Sequence, residues 1–280
     1  MSCYYAAEAQ RTQRKKEYLN GYKMRKRESI TILINLGVFL SLWLNGLMGQ
    51  IPTGETVINS MIAIMSPENS KSIVRQTNYY DNGKTRTFEL EMYSADKGEK
   101  MMMRYIKPTS VKGQTFLMLN DGDDIWTYFP RTRRVRKMAS HAKKMKVQGG
   151  DFSFDDFSSN ETWENDYQTT NEGTVDKQGS SCWKLRAKAV ENADADYPEI
   201  VLYVRKDNYY PIHMDYIDEK GKEEKSLYLT NIKMVDDYPT ARIITMENHL
   251  TGTKTVMENV EVSYIWDPPK GFFSERNLKK

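Results

Sequence analysis

Cysteine and histidine are scarce in this sequence, whose 280 residues include two cysteines and three histidines. Cys3 precedes an apolar N-terminal stretch, which leaves Cys182 as the single thiol in the rest of the chain. One thiol cannot form an internal disulfide, and a nucleophilic thiol requires a nearby histidine, whereas the three histidines stand in unrelated contexts. We therefore expect Cys182, beside Trp183 and Leu185, to be a small buried apolar residue.

Motifs of the common catalytic and metal sites are also missing. The sequence contains no G-x-S-x-G, no H-E-x-x-H, no C-x-x-C and no glycine-rich phosphate loop. The stretch NDGDD at 120–124 lacks the glutamate of a calcium-binding loop in register, so we interpret it as a hairpin turn. Asp151, Asp155 and Asp156 are compatible with a metal or general-acid site, but a solvated rim is the simpler interpretation. The sequence predicts no enzyme activity, no metal and no cofactor.

Basic residues are concentrated near the N-terminus rather than spread over the chain. Residues 1–49 carry eight Lys/Arg against three acidic residues, which leaves 33 basic and 35 acidic residues in 50–280. The body of the chain is therefore close to neutral, and no global positive field would attract nucleic acid.

The basic N-terminal region leads into an apolar stretch in the arrangement of a secretory signal peptide. Four basic residues within 23–27 precede fifteen mostly apolar residues at 30–44, and two glycines follow by residue 49. The apolar stretch is shorter than the ~20 residues that span a membrane comfortably, and retention as an inner-membrane anchor is the alternative. We predict an upstream extension at 1–23, a signal peptide at 24–49 and one domain at 50–280.

The body of the chain reads as one helix followed by many strands. Between Pro52 and Pro67, apolar residues recur at helical spacing, which predicts a helix. Farther along, apolar and polar residues alternate with period two, and turn sequences separate the alternating runs. Eleven strands are predicted, at 71–79, 84–94, 99–107, 114–120, 124–129, 182–190, 199–205, 209–218, 225–234, 241–249 and 254–264.

Short connections between these strands predict an antiparallel, meandering sheet in a mainly β protein. The one long stretch without a predicted strand is 138–180. A single sheet of this size must curl to bury one face, which gives a barrel or half-barrel. The front helix and the segment around residue 150 are then the candidates to cover its concave side.

The stretch GDDIWTYFPRTRRVRKM at 122–138 places aromatic residues directly before a basic run. Three interpretations compete: a nucleic-acid surface, a contact with anionic lipid headgroups or a partner protein, and a charged edge strand that resists aggregation. An exported protein rarely meets nucleic acid, so export argues against the first interpretation.

This stretch, followed by GGDFSFDDF at 149–157, resembles the LolA-like outer membrane lipoprotein-sorting protein family. Gly150, Phe154 and Phe157 stand where serine, tyrosine and leucine are usual in that family. The segment IVLYVRKDNYYPIHMDYIDEKGKEEKSL at 200–227 looks like the family's strand–turn–strand unit with its Asp-x-x-Gly-Lys ending. The resemblance covers about 52–277 and implies an unclosed antiparallel β-barrel with an N-terminal helix, a short lid segment and an apolar interior.

The resemblance also suggests where a ligand would bind. We expect Trp126 and Tyr128 to face the concave side, opposite an aromatic strip on the lid segment. The candidate ligand-binding residues are Trp126, Tyr128, Phe152, Phe154 and Phe157. The candidate rim for lipid headgroups or a partner comprises Arg131, Arg133, Arg134, Arg136 and Lys137. The alternative is that the aromatic side chains simply complete a closed core.

The function implied by the resemblance is that of a periplasmic carrier. Such a protein would bind acyl chains of lipoproteins or lipids in the barrel and move them toward the outer membrane. Its partners would include an inner-membrane transporter and an outer-membrane acceptor, and no nucleic acid. The alternative is an accessory protein of an RND/MMPL-type inner-membrane exporter that has no acyl cargo of its own. A cavity that admits an acyl chain would favour the carrier.

Overall fold

The computed structural model describes residues 51–157, 163, 165–193 and 195–279. The predicted extension at 1–23 and signal peptide at 24–49 lie outside the described residues. Internal contacts divide the chain into residues 1–51 and a second unit that begins at Pro52.

Thirteen strands of this unit form one antiparallel sheet. The strands are β1 (Asn69–Tyr79), β2 (Thr85–Ala95), β3 (Lys100–Lys107), β4 (Thr115–Leu119), β5 (Asp124–Phe129), β6 (Arg134–Lys137), β7 (Tyr167–Lys177), β8 (Ser180–Ala189), β9 (Glu199–Arg205), β10 (Pro211–Ile217), β11 (Glu223–Val235), β12 (Tyr238–Asn248) and β13 (Thr253–Ser263). Their order is β6-β5-β4-β3-β2-β1-β13-β12-β11-β10-β9-β8-β7. Sequential neighbours pair throughout, and β1 pairs with β13 at the centre. Strands β6 and β7 are the two edges, so the predicted large sheet that does not close is confirmed.

Strands β6 and β7 are the two that the sequence did not reveal, and the strand-free stretch predicted at 138–180 is wrong over β7. Both are edge strands. An edge strand is held by hydrogen bonds along one side and does not need a buried apolar face. The β7 sequence YQTTNEGTVDK therefore lacks the apolar alternation of the inner strands. The charged sequence RVRK of β6 corresponds to the edge-strand interpretation of the basic run.

The α-helix α1 (Gly54–Met65) packs on β7, β8 and β12. Its N-terminus is capped by the Thr53 hydroxyl, which accepts a hydrogen bond from the Thr56 N–H at 3.1 Å. Gly54 allows a close approach, because a Cβ on this residue would lie 2.3 Å from the Thr169 carbonyl oxygen. No helix in the described residues has the length and apolar character needed to cross a membrane.

Each face of the sheet carries its own apolar core. We call the face under α1 and residues 138–157 the covered face, and the opposite one the outer face. The covered-face core joins α1 to inner strands, with Val57, Leu90, Leu185 and Leu202 fully buried. The outer-face core lies under the C-terminal residues 264–279, which include the short 3-10 helix Glu275–Lys279. Its members are Tyr93, Met102, Leu117 and Leu278, with Leu119, Trp126, Tyr128, Val135, Trp266, Phe272 and Phe273 packed around them.

Candidate functional site

Residues 138–157, which we call the cover segment, form a compact loop over the covered face. Short 3-10 turns lie at Ser140–Lys144, Val147–Gly149 and Asp155–Phe157. The loop closes on itself, because Val147 N–H donates to the Phe152 carbonyl at 2.8 Å and Phe154 N–H donates to the Met145 carbonyl at 3.2 Å. The Asp156 carboxylate also accepts hydrogen bonds from the N–H and hydroxyl of Ser153. These local bonds give the segment a defined shape of its own.

The three phenylalanines of the cover segment face the sheet. Phe152 and Phe154 are buried members of the covered-face core, and Phe157 packs against it partly buried. The Phe154 ring lies 5.1 Å from the ring of Phe116 on β4, and the rings of Phe152 and Phe157 are 5.6 Å apart. The sequence-predicted aromatic strip therefore forms part of the apolar filling between the cover and the sheet.

Trp126 and Tyr128 do not join these phenylalanines, so the expectation that they face the same side is wrong. On β5, Ile125 and Thr127 point to the covered face, and the alternation of the strand sends the two aromatic rings to the outer face. There Trp126 is the cross-strand partner of Leu117 on the neighbouring strand β4, and it belongs to the outer-face core. The sequence did not show that the C-terminal residues would supply a second apolar surface.

The predicted basic rim lies along the edge strand β6 and the turn before it. Among the described residues, the exposed side chains of Arg131, Arg133, Arg134 and Arg136 have no acidic partner. Lys137 differs, because it forms an ion pair with Asp124 and lies 5.6 Å from the centre of the Trp126 ring. The hydrogen bond from Lys137 holds the pKa of the Asp124 carboxyl below its usual value. The arginines thus form a cluster of uncompensated positive charge beside the aromatic rings of the outer face.

Methionine is the most frequent residue type in the covered-face core, with six of its 24 buried members. The buried methionines of this core come from α1 and from five strands, and they are Met61, Met103, Met118, Met214, Met246 and Met257. Methionine side chains are unbranched and polarizable, and they adapt to the shape of whatever packs against them. The covered face is therefore apolar and deformable. The sixteen methionines of the sequence already indicated an adaptable apolar interior, but the alternation of apolar and polar residues does not reveal it.

One end of the covered face is polar. Gln76 and Asn78 on β1 and Thr255 on β13 are almost completely buried, at 0%, 1% and 0% exposure. The carboxylate of Asp151, on the cover segment, accepts hydrogen bonds from the hydroxyls of Thr253 at 2.6 Å and Thr255 at 3.0 Å. The expectation of a solvated acidic rim is therefore wrong for Asp151, because its side chain is only 4% exposed.

A second buried polar group lies on the other side of the sheet. The Asp215 carboxylate contacts His213 Nε2 at 2.7 Å and accepts from the Ser226 hydroxyl, which also contacts His249 Nε2 at 2.9 Å. Burial would raise the pKa of Asp215, but the hydrogen bonds from His213 and Ser226 outweigh it and keep the pKa below its usual value. A catalytic triad needs histidine between serine and aspartate, whereas here serine and aspartate bond directly. Ser226 is also buried, so a substrate does not reach it in this structure.

Other candidate reactive groups are equally enclosed. Cys182 is fully buried, as predicted, and burial raises the pKa of its thiol. Within the described residues, no group of three His, Cys, Asp or Glu side chains is arranged to hold a metal ion. The site best supported by the geometry is therefore the covered face with its cover segment.

A surface cleft leads toward the covered face. It lies between α1 and β7, has a volume of about 760 Å³, and is bordered by Glu55, Asn59 and Gln168 on the outside. Its inner wall includes Ile58 and Tyr167, which are buried members of the covered-face core. The cleft thus connects solvent with the edge of the apolar interior.

Comparisons with solved structures identify the fold. A crystal structure described as an outer membrane lipoprotein-sorting protein domain from Vibrio parahaemolyticus superposes on this chain with a TM-score of 0.73 at 23% identity, over 81% of this chain and 98% of that chain. A DUF1329 family protein from Desulfovibrio piger ATCC 29098 gives 0.73 at 22% identity, over 80% and 97%. A LolA superfamily protein from Nitrosomonas europaea gives 0.66 at 17% identity, over 81% and 100%. The predicted resemblance to the LolA-like proteins is confirmed at the level of the fold.

Sequence comparison gives a family without a described activity. No curated protein sequence matches this chain. A family model with the description "Uncharacterized protein" matches residues 97–280, which is well over half of the chain. The chain therefore belongs to this family, and its fold is that of the LolA-like outer membrane lipoprotein-sorting proteins.

Proposed function

We propose that the protein is a periplasmic carrier that binds acyl chains of lipoproteins or lipids against the covered face and moves them toward the outer membrane. The observation that carries the proposal is the construction of the covered-face core. Its sheet side is continuous, but its other side is built from separate pieces of chain, chiefly α1 and the cover segment, with Trp163 and Tyr197 beside them. Such a core can open on one side while the hydrogen bonds of the sheet remain intact.

The chemistry of the covered face suits an acyl chain. Its buried methionines can repack around a flexible hydrocarbon, which has no fixed shape of its own. Transfer of a fourteen-carbon chain from water into such a site is worth about 10 kcal/mol before the costs of binding are subtracted. That free energy is large enough to displace a cover held by a few side chains.

When the cover segment is in place, phenylalanine rings fill the space in which the acyl chain would bind. Phe152 and Phe154 are buried between the cover segment and the sheet. An acyl chain would take over the contacts of these rings, such as the contact between Phe154 and Phe116. The cleft between α1 and β7 offers the route by which the chain would reach the interior.

The basic edge supports a role in docking. The arginines at 131, 133, 134 and 136 would contact anionic lipid headgroups or the acidic surface of an inner-membrane transporter or outer-membrane acceptor. Export through a signal peptide at 24–49 and a periplasmic location belong to the same proposal. The proposal requires no chemical step, so it needs neither a catalytic residue nor a cofactor.

Mass spectrometry of organic extracts tests the proposal directly. Protein purified gently from the periplasmic fraction should carry co-purified lipid, and delipidated protein should bind a fluorescent fatty acid at micromolar concentration. Absence of both would refute the carrier function. An accessory role at an RND/MMPL-type exporter, without acyl cargo, would then become the leading hypothesis.

A further inference from the structure

The covered face changes from apolar to polar along the direction of its two central strands. On β1 the side chains that point to this face are Val74, Gln76 and Asn78, in that order. On the antiparallel neighbour β13, Met257 lies opposite Gln76, and Thr255 lies opposite Asn78. An acyl ligand has the same polarity pattern, with a hydrocarbon tail and one polar end. The polar end of the face therefore suits the polar end of such a ligand, and the apolar part of the face suits its hydrocarbon tail.

A carboxylate already occupies the polar end. Asp151 accepts from the Thr253 and Thr255 hydroxyls, and its own N–H donates to the Thr255 oxygen at 2.8 Å. The preceding Gly150 allows this approach, because a Cβ there would lie within about 3 Å of Thr255 Oγ1 and Asn78 Oδ1. The tip of the cover segment thus inserts a carboxylate beside the hydroxyls of the sheet, while Lys146 of the cover segment itself lies with its Nζ 3.7 Å from Asp151 Oδ1.

The donors of this socket belong to the sheet and remain when the cover moves. The hydroxyls of Thr253 and Thr255 bond Asp151, and the Asn78 side-chain amide donates to the Gln148 carbonyl at 3.1 Å. Asn78 and Thr255 are buried and Thr253 is partly buried, so a ligand that replaces the cover and keeps water out leaves these donors in need of an acceptor. A ligand with an acceptor oxygen at the end of its chain supplies one, whereas a plain hydrocarbon does not.

The closed cover is also imperfectly satisfied. The side-chain nitrogen of Gln148 is buried without a hydrogen-bond partner among the described residues. An unsatisfied buried donor weakens the closed arrangement relative to an open one in which water reaches the group. The cover is held by the Asp151 contacts, by its phenylalanines and by the surface ion pairs of Lys143 with Asp123 and Lys144 with Asp196. Replacement of the first two sets by a single ligand would leave the surface pairs.

We propose that this socket, formed by Asn78, Thr253 and Thr255, is the headgroup site of the carrier, and that Asp151 holds the place of the ligand's polar end. The ligand class is an acyl chain that ends in a carboxylate or a carbonyl ester. This inference rests on the proposed carrier function and adds the ligand's orientation, with its head at the polar end of β1 and β13 and its tail against the methionines.

A headgroup series on the unaltered protein tests the proposal without relying on any variant. Tridecanoate, methyl tridecanoate and dodecyltrimethylammonium share one dodecyl tail and are to be compared by displacement of an apolar fluorescent probe. We expect the carboxylate and the ester to bind about tenfold tighter than the ammonium compound, which has no acceptor oxygen. Preference for the carboxylate over the ester would identify free fatty acids as the source, and equal binding would identify ester-linked chains.

Two substitutions locate the preference. Thr255→Val keeps the side-chain shape and should reduce the preference for acceptor headgroups several-fold, whereas Asp151→Asn should tighten binding because the bond to a charged acceptor is lost from the cover. Thr77→Val is the matched control, since Thr77 lies on β1 but bonds Thr87 on the outer face at 3.2 Å.

The failures are distinguishable. Equal affinity for all three headgroups, with Thr255→Val behaving like Thr77→Val, would overturn the headgroup site and leave the carrier function standing. Failure of the unaltered protein to bind any of the three compounds would instead refute the carrier function itself. Thermal unfolding of each variant shows whether a substitution acts through loss of the fold. If it does, the headgroup series on the unaltered protein decides whether the headgroup site exists.

Discussion

Phe154 and Trp126 lie on opposite sides of the same strand pair. The Phe154 ring contacts Phe116 on β4, whereas Trp126 pairs with Leu117, the next residue of that strand. Because successive side chains of a strand point to opposite faces, the backbone of β4 and β5 separates the two rings. The aromatic residues near the basic run therefore serve two cores, and their roles can be tested separately.

The Phe154 side chain is expected to stabilise the closed protein strongly. It is only 3% exposed, so Phe154→Ala should lower the free energy of unfolding by about 3 kcal/mol, the usual cost of removing a buried ring. Phe129→Ala is the control, because Phe129 is 38% exposed and should cost less than about 1 kcal/mol. Urea denaturation measures both. Similar costs for the two variants would show that the cover segment does not pack on the sheet in solution.

Tryptophan quenching can report which face an acyl chain occupies. Trp163 and Trp183 pack against the covered-face core, whereas Trp126 and Trp266 pack in the outer-face core. A nitroxide-labelled fatty acid on the covered face should quench the first pair, so Trp163→Phe with Trp183→Phe should remove most of the quenching. Trp126→Phe with Trp266→Phe should preserve it. The reverse pattern would place the ligand on the outer face.

Most of the fold could be predicted because inner strands leave a strong pattern. Each of the eleven predicted strands overlaps an observed strand whose ends differ by at most three residues. A strand that buries one face must alternate apolar and polar residues, as β2 does where Glu89 separates Phe88 from Leu90. The edge strands β6 and β7 bury little, so composition did not distinguish them from loops.

The candidate site was predictable only in part. The lid phenylalanines stood out as an aromatic strip, but the side to which Trp126 points depended on what the C-terminal residues would cover. The polar socket joins Asn78, Asp151 and Thr255, which are far apart in sequence and unremarkable in their local contexts. Only the pairing of β1 with β13 and the docking of the cover segment bring them together.

The arginines of the basic edge should matter for docking and not for folding. Arg134→Glu with Arg136→Glu should weaken binding to anionic vesicles, while the free energy of unfolding stays within about 0.5 kcal/mol, as for ordinary exposed sites. Co-sedimentation with vesicles at low and physiological salt provides the measurement. Lys71→Glu with Lys233→Glu is a charge-matched control, because both lysines are exposed and without ion pairs among the described residues. Unchanged binding in the arginine variant would remove the docking role.

Acid should weaken the pairing between β7 and β8. Hydrogen bonds from Arg186 and Lys184 lower the pKa of Glu172 to about 2, against an ordinary value of 4.5. A carboxyl with a lowered pKa stabilises the fold above its ordinary pKa and loses this contribution as the pH falls toward the lowered value. Glu172→Gln should therefore cost about 1 kcal/mol or less at pH 6, as for a surface ion pair, and progressively less between pH 4.5 and 2.

The difference in unfolding free energy between the wild-type protein and Glu172→Gln, followed from pH 6 downward, tests this prediction. Groups that titrate equally in both proteins cancel in the difference. Glu191→Gln is the control, because Glu191 is exposed and forms no ion pair among the described residues. A difference that stays constant or grows toward low pH would show that Glu172 is not held as a carboxylate by its two cations.

The approach of α1 to β7 is expected to depend on Gly54. A Cβ at this position would lie 2.3 Å from the Thr169 carbonyl oxygen and 2.9 Å from the Thr170 nitrogen, and both are backbone atoms that cannot rotate away. Gly54→Ala must therefore shift the helix from the strand, at a cost of about 1–3 kcal/mol as for an overpacked core, although alanine is the better helix former. Asn59→Ala is the matched control, because Asn59 is an exposed residue of the same helix and its replacement should change stability little.

If α1 is one wall of the ligand site, Gly54→Ala should also increase the rate at which an acyl probe enters, since the cleft between α1 and β7 widens. Stopped-flow fluorescence measures that rate, and an unchanged rate in a destabilised variant would show that acyl chains enter elsewhere.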